Sequence, residues 1–144
     1  MALKMRFLYY SGKGKMKELA EAVKAEFDLG QNHNAIDQIP PAYPCANERL
    51  VILAVSGKGE PDDVLRRFCS ELDKKKAQNV ALLVDGDEKI AARLLEVLKE
   101  TGTCVSENVK YIKIGGLPFF GAKFTEEDKK ALLDWTHEIV NNIQ

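Results

Sequence analysis

Residues 50–55 read LVILAV and residues 80–84 read VALLV, two runs without a polar position. A strand with one wet face alternates apolar and polar residues. A run that is apolar throughout buries both faces, as strands inside a parallel sheet do. Parallel neighbours cannot be joined by a tight turn; they need long crossovers, usually helical. These two runs therefore ask the rest of the chain to alternate strand with helix.

The rest of the chain does so. Met5–Tyr10 reads as a first strand, followed by a helix with Met16, Leu19, Ala20, Val23 and Phe27 on one face. Ala35–Ile39 is a short second strand, and Pro40, Pro41 and Pro44 then hold an extended loop. Arg49–Val55 is the third strand; Pro61 marks the next helix start, with a stripe of Val64, Leu65, Phe68, Cys69 and Leu72. Val80–Val84 is the fourth strand, and Ile90, Leu94, Val97 and Leu98 line a helix that Gly102 ends. The last strand is either Thr103–Val105 or Val109–Ile114. Thr125-Glu126-Glu127-Asp128 opens a final helix in the manner of a capping box, with Leu132, Trp135, Ile139 and Ile143 inward. The implied architecture is α/β, a parallel sheet covered by helices on both faces. With 144 residues and no linker-like stretch, the chain reads as one domain, residues 1–144.

Charge and cysteine usage exclude several classes. Lys+Arg 21 against Asp+Glu 22 leaves a formal charge of -1, so no global field draws nucleic acid or an anionic membrane. No apolar run nears the roughly 20 residues that span a bilayer, and MALKMRFLYY reads as a strand rather than a signal peptide. Cys45, Cys69 and Cys104 have no C-x-x-C spacing and suit reduced thiols in the cytoplasm. His33 and His137 lack ligand-like neighbours, so no metal site is expected.

Chemistry is concentrated at the junctions. Ser11-Gly12-Lys13-Gly14-Lys15-Met16 leaves the first strand, and the same tetrapeptide returns as Ser56-Gly57-Lys58-Gly59 after the third. Ligands of open parallel sheets bind beyond the carboxyl ends of the strands, where the chain order reverses. In the order 2-1-3-4-5 the first and third strands are neighbours, so the twin loops become two walls of one cleft. Asp85-Gly86-Asp87 at the fourth strand adds a third wall. Glycines let the backbone approach a ligand, and the free amides of a helix start, with Lys13 and Lys15 beside them, favour an anion. Glu60, Asp62, Asp63, Asp85, Asp87 and Glu88 crowd the other two junctions, where acidic groups complement a helix dipole without any ligand. The Walker spacing, G-x-G-x-x-G and G-x-S-x-G are all absent, and no nucleophile–base pair is visible. Catalytic residues of the chain's own are not expected.

On these residues a family resemblance rests. YYSGKGKMKELAEAV resembles the opening of short-chain flavodoxins, whose first strand ends in Tyr-Tyr-Ser-Gly-Thr-Gly-Asn-Thr; Ser11, Gly12 and Gly14 match that phosphate loop. LVILAVSGKGEPDDVLRRFCSEL and NVALLVDGDEKIAARLLEVL are similar to the family's third and fourth strands with their flavin loops. The resemblance implies a flavodoxin-like three-layer sandwich, a five-stranded parallel sheet in the order 2-1-3-4-5. It also implies FMN held by Ser11–Met16, Ser56–Gly59 and Asp85–Asp87, with electron transfer to a redox partner protein. Lys13 and Met16 stand where the family places hydroxyls, and neither SGKGEPDD nor DGDEK carries an aromatic; Phe119 and Phe120 are the nearest substitutes in sequence. Those departures motivate the alternative, a binding or interaction module on the same fold without flavin.

Overall fold

The structure, a computed structural model, describes residues 5–10, 21–23, 25–26, 35–38, 48–57, 59–61, 63–111 and 126–142. Among the described residues six strands form one parallel sheet: β1 (Met5–Tyr10), β2 (Ala35–Gln38), β3 (Leu50–Gly57), β4 (Asn79–Gly86), β5 (Cys104–Val105) and β6 (Lys110–Tyr111). Their order is β2-β1-β3-β4-β5, with β6 also paired to β4. This is the 2-1-3-4-5 arrangement, its fifth position shared by two short strands. The helices are α1 (Asp63–Ser70), α2 (Glu88–Glu100) and α3 (Glu126–Asn142), and residues 21–23 and 25–26 are helical as well.

The apolar runs bury both faces, as their composition requires. On one face Leu8, Val51, Leu53, Val55, Val80, Leu82 and Val84 meet Leu65 and Cys69 of α1 and Ile90, Ala91, Leu94 and Leu98 of α2. On the other, Met5, Phe7, Leu50, Ile52, Ala54, Ala81 and Leu83 meet Val23 and the Leu132, Trp135 and Ile139 stripe of α3. Successive residues of β3 and β4 thus feed opposite cores, and three layers result.

Two details of the stripes differ from the sequence pattern. Val64 is 50% exposed, because α1 begins at Asp63 and aims Leu65 and Cys69, four residues apart, at the sheet. Leu72 is buried but lies past the helix, in a turn closed by the Leu72 N–H on the Cys69 carbonyl at 3.2 Å. Gly102 ends α2 at φ +90, the left-handed backbone a glycine adopts freely. Met16, Leu19, Ala20, Phe27, Thr125 and Ile143 lie outside the described residues.

Each of the two segments offered for the last strand contributes two residues, Cys104–Val105 from the first and Lys110–Tyr111 from the second, with Ile112–Ile114 outside the described residues. β5 pairs Cys104 with Asn79 and Val105 with Val80; β6 pairs Lys110 with Leu83 and Tyr111 with Val84. Between these pairs the edge spends two more residues than β4 does, so after the Ser106 N–H has bonded the Val80 carbonyl at 2.8 Å, Glu107–Val109 steps off the ladder. Ser106 Oγ accepts the Asn108 N–H at 3.1 Å, and the Trp135 indole donates to the Asn108 carbonyl at 2.9 Å.

Near the amino end of the sheet sits a buried ion pair that no motif announced. Arg6 is 3% and Glu48 1% exposed, with Arg6 Nη2 3.4 Å from Glu48 Oε1. The Glu48 backbone bridges to the segment ahead of β4, its N–H on the Lys76 carbonyl at 2.9 Å and its carbonyl accepting the Gln78 N–H at 2.8 Å. Removing one partner of a buried pair leaves a stranded charge, at a cost of about 3–5 kcal/mol, whereas an apolar replacement of both is often neutral or stabilising. Glu48→Ala is therefore expected to lose stability on that scale in urea denaturation. The double variant Arg6→Met/Glu48→Leu is expected to unfold no earlier than the parent.

Candidate functional site

The carboxyl rim is built where the register carries three strand ends together. Tyr10, the last residue of β1, pairs with Val55 of β3. β3 and β4 then run on in step, Ser56 beside Asp85 and Gly57 beside Gly86. The sequence reading gave these four residues to loops; they belong to the strands. Ser, Gly and Asp are poor strand formers, but a ladder already formed over five preceding pairs carries them along. The strands flanking the order reversal thus end at one rim, the place where this sheet class binds ligands. Ser11, Gly12, Lys13, Gly14, Lys15, Met16 and Lys58 lie outside the described residues, as do Phe119 and Phe120.

Beyond β3 the chain turns at Gly59 with φ +74, a conformation that L side chains rarely adopt. An added Cβ would meet nothing within 4 Å, so the backbone angle, not space, is what selects glycine here. The turn aims the Gly59 N–H at Asp87, whose Oδ1 and Oδ2 both lie 3.1 Å away.

Asp87 has a second duty. It is the N-cap of α2, with φ -99 and ψ 171, and its Oδ1 accepts the Ile90 N–H at 3.0 Å. The Ile90 and Gly59 amides together hold its carboxyl below the ordinary aspartate value. One carboxylate thus caps a helix and ties the turn after β3 to the turn after β4.

The neighbouring charges are also engaged. Glu60 Oε1 accepts from Arg93 Nε at 2.8 Å, a second link from the β3 turn to α2. Arg93 also approaches Glu96 at 3.5 Å, and its guanidinium is pushed up by Glu60 first and Glu96 next. Asp63 pairs with Arg66 one helical turn on. Of these acidic residues, Asp87 caps α2 and Asp63 stands in the first turn of α1, as a helix-start reading expects, whereas Glu60 reaches a distant arginine and Asp62 lies outside the described residues. Arg93 carried no signal in the sequence; only the packing of α2 beside α1 brings it to Glu60.

Tyr111 is the other residue that sequence reasoning missed. It stands on β6 opposite Val84, 42% exposed. Its phenol is held above the usual tyrosine value, by partial burial first and then by Glu88 and Asp87. It thus supplies an aromatic ring beside the β4 turn, where DGDEK has none. Finding it required the register of the last strand, which the sequence left open between two segments.

Two cysteines lie among the described residues. Burial pushes the Cys69 thiol up to about 12, whereas Cys104 is exposed. Among the described residues no group of three or more His, Cys, Asp or Glu could hold a metal ion. No described helix is long and apolar enough to cross a membrane.

No family model matches the chain, and no curated protein does. Among solved structures it is similar to a short-chain flavodoxin associated with a non-canonical PDU bacterial microcompartment. The TM-score is 0.67 over 99% of this chain and 99% of that one, at 14% identity. At that identity the likeness is one of fold: the chain has a flavodoxin-like fold.

A depressed carboxyl links stability to pH with a definite sign. The stabilisation from Asp87 is fully present above the unfolded aspartate value of about 3.9 and drains away as pH falls through the lower folded value. The Tm gap between the parent and Asp87→Asn is expected to be constant at neutral pH and to shrink below pH ~4. Paired thermal melts across that range measure it.

Proposed function

We propose that this flavodoxin-like chain is an FMN-binding carrier of electrons, with the phosphate on Ser11–Met16 and the ring at the Ser56–Gly59 and Asp85–Asp87 turns. The observation that carries this reading is the shared rim: β1, β3 and β4 are parallel neighbours ending together at the order reversal. Some of the residues present suit the group. The first junction offers Ser11 and two lysines to a phosphate. At the second and third junctions Glu60 and Asp87 are already satisfied, so an uncharged ring edge meets few unpaired carboxylates there. Tyr111 adds an apolar ring at the same rim.

FMN, when bound, supplies reversible electron uptake; the protein sets how readily this happens. The chain's own residues would bind the phosphate, orient the ring and surround it with negative charge. Asp87 and Glu88 at the β4 turn would oppose further negative charge on a ring bound beside them and so would lower its potential. No catalytic residue is required of the chain. The role implies a protein partner for electron exchange and a cytoplasmic setting.

One observation favours the second reading, a module without flavin. The two turns that would bracket the ring are bonded to each other through Asp87 at 3.1 Å. Stacked aromatic partners have centroids about 4.5–7 Å apart, which those atoms do not leave between them. A flavin would have to sit to one side of this contact.

Titration of FMN with the purified protein decides between the readings. Stoichiometric quenching of flavin fluorescence at micromolar protein is expected, and unchanged fluorescence with a colourless preparation would establish the second reading instead. If FMN binds, Lys13→Ala is expected to weaken it by about tenfold or more, since a hydrogen bond to a charged group contributes roughly 1.5–3 kcal/mol.

A further inference from the structure

At the end of the sheet opposite the candidate site, the chain gathers cations on a fixed turn. Lys74, Lys75 and Lys76 lie between α1 and β4, and Arg49 directly precedes β3. The turn is well braced. Asp73 Oδ1 accepts the Lys75 and Lys76 N–H groups at 3.1 and 3.2 Å. The Asp73 carbonyl accepts the Lys76 and Ala77 N–H groups at 3.0 and 2.9 Å, and the Lys76 carbonyl accepts the Glu48 N–H at 2.9 Å. With Asn79 Nδ2 donating to the Arg49 carbonyl at 3.0 Å, Arg49 is held beside the lysine turn. Lys74, Lys75 and Arg49 are exposed and Lys76 is half-buried.

Nearby acids do not neutralise this group. Asp73 is turned to backbone amides, and Glu48 is buried against Arg6. Among the described residues no carboxylate forms an ion pair with any of the four cations. They outnumber Asp73 and Glu71, so the turn stays positive in a chain of formal charge -1. Strands of eight residues, at about 3.3 Å each, set the turn roughly 25 Å from the acidic rim. That exceeds the ~10 Å over which exposed charges act at 0.1 M salt, so the rim does not cancel it.

We propose that the Lys74–Lys76 turn, with Arg49, docks a carboxylate-rich segment of another protein. Its charge complements such a segment, and the braced backbone presents the ammonium groups at little ordering cost. A membrane would ask for apolar side chains to insert and single-stranded nucleic acid for aromatic rings to stack. The exposed large apolar residues among those described are Val64 and Tyr111, on α1 and β6 rather than on this turn. A segment docked here leaves the rim between β3 and β4 uncovered. The proposal holds whether or not FMN is the ligand of that rim, so its test is independent of the flavin titration.

The test is fluorescence anisotropy of a labelled oligoglutamate peptide titrated with the full chain. Saturable binding at low salt is expected, weakening by about tenfold or more as salt shortens the reach of the charges. Lys74→Glu/Lys75→Glu is expected to weaken it by about tenfold or more at fixed salt. The control Lys129→Glu/Lys130→Glu alters net charge equally, beside Glu126, Glu127 and Asp128 at the start of α3, and is expected to bind as the parent does. In ¹H–¹⁵N spectra the peptide is expected to shift the Lys74, Lys75 and Lys76 amides and leave Gly59 and Ile90 in place. No binding by the parent, equal loss in the two variants, or shifts centred on the rim would overturn the proposal. So would tighter binding, at the same salt, of a DNA duplex or of phosphatidylcholine vesicles containing phosphatidylserine. Should Lys74→Glu/Lys75→Glu not fold, Lys74→Gln/Lys75→Gln takes its place, and unchanged peptide binding there counts against the proposal equally.

Discussion

Everything in this molecule depends on burying two adjacent strands from both sides. β3 and β4 have no wet face: Val51, Leu53 and Val55 enter one core while Ile52 and Ala54 enter the other, and Leu82 and Leu83 divide likewise. Apolar burial of this kind, worth about 25 cal/mol per Å² of surface removed from water, obliges the chain to supply helices above and below. It also makes the neighbours parallel, so every crossover begins at the same rim. The location of the candidate site is thus a by-product of how the core is made.

At that rim, ordinary helix capping has been extended into a tie between turns. Asp87 would cap α2 with the Ile90 bond alone; the Gly59 bond joins the turn after β3 to the turn after β4. Glu60 and Arg93 repeat the connection a few residues further on. The rim between β3 and β4 is therefore a preorganised wall rather than two independent loops. Preorganisation of this sort would reduce the ordering cost for any ligand that binds there.

The legible parts of the chain were those set by periodicity. LVILAV, VALLV and the Leu132–Trp135–Ile139 stripe lie where pattern puts them, because burial on a fixed face leaves a fixed spacing. The order of the sheet was legible through family resemblance and the logic of crossovers. Three things were not. Ser56, Gly57, Asp85 and Gly86 read as loop, since local propensity cannot see the neighbouring ladder that holds them. The Arg6–Glu48 pair and the Glu60–Arg93 link join residues 42 and 33 positions apart, and nothing local marks them. Tyr111 was invisible as a rim residue because its register depends on a two-residue step that only pairing reveals. Of the two glycines in the second tetrapeptide, Gly57 continues β3 and Gly59 takes the left-handed backbone angle at the turn.

That step in the outer border of the sheet bears on how copies of the chain behave toward each other. A long straight border offers a continuous row of amide and carbonyl groups on which a foreign strand can crystallise. Here, among the described residues, the row breaks at Glu107–Val109, and the Trp135 indole pins the break by holding the Asn108 carbonyl. The tryptophan that packs into the core thus also fixes the point at which the outer strand is interrupted.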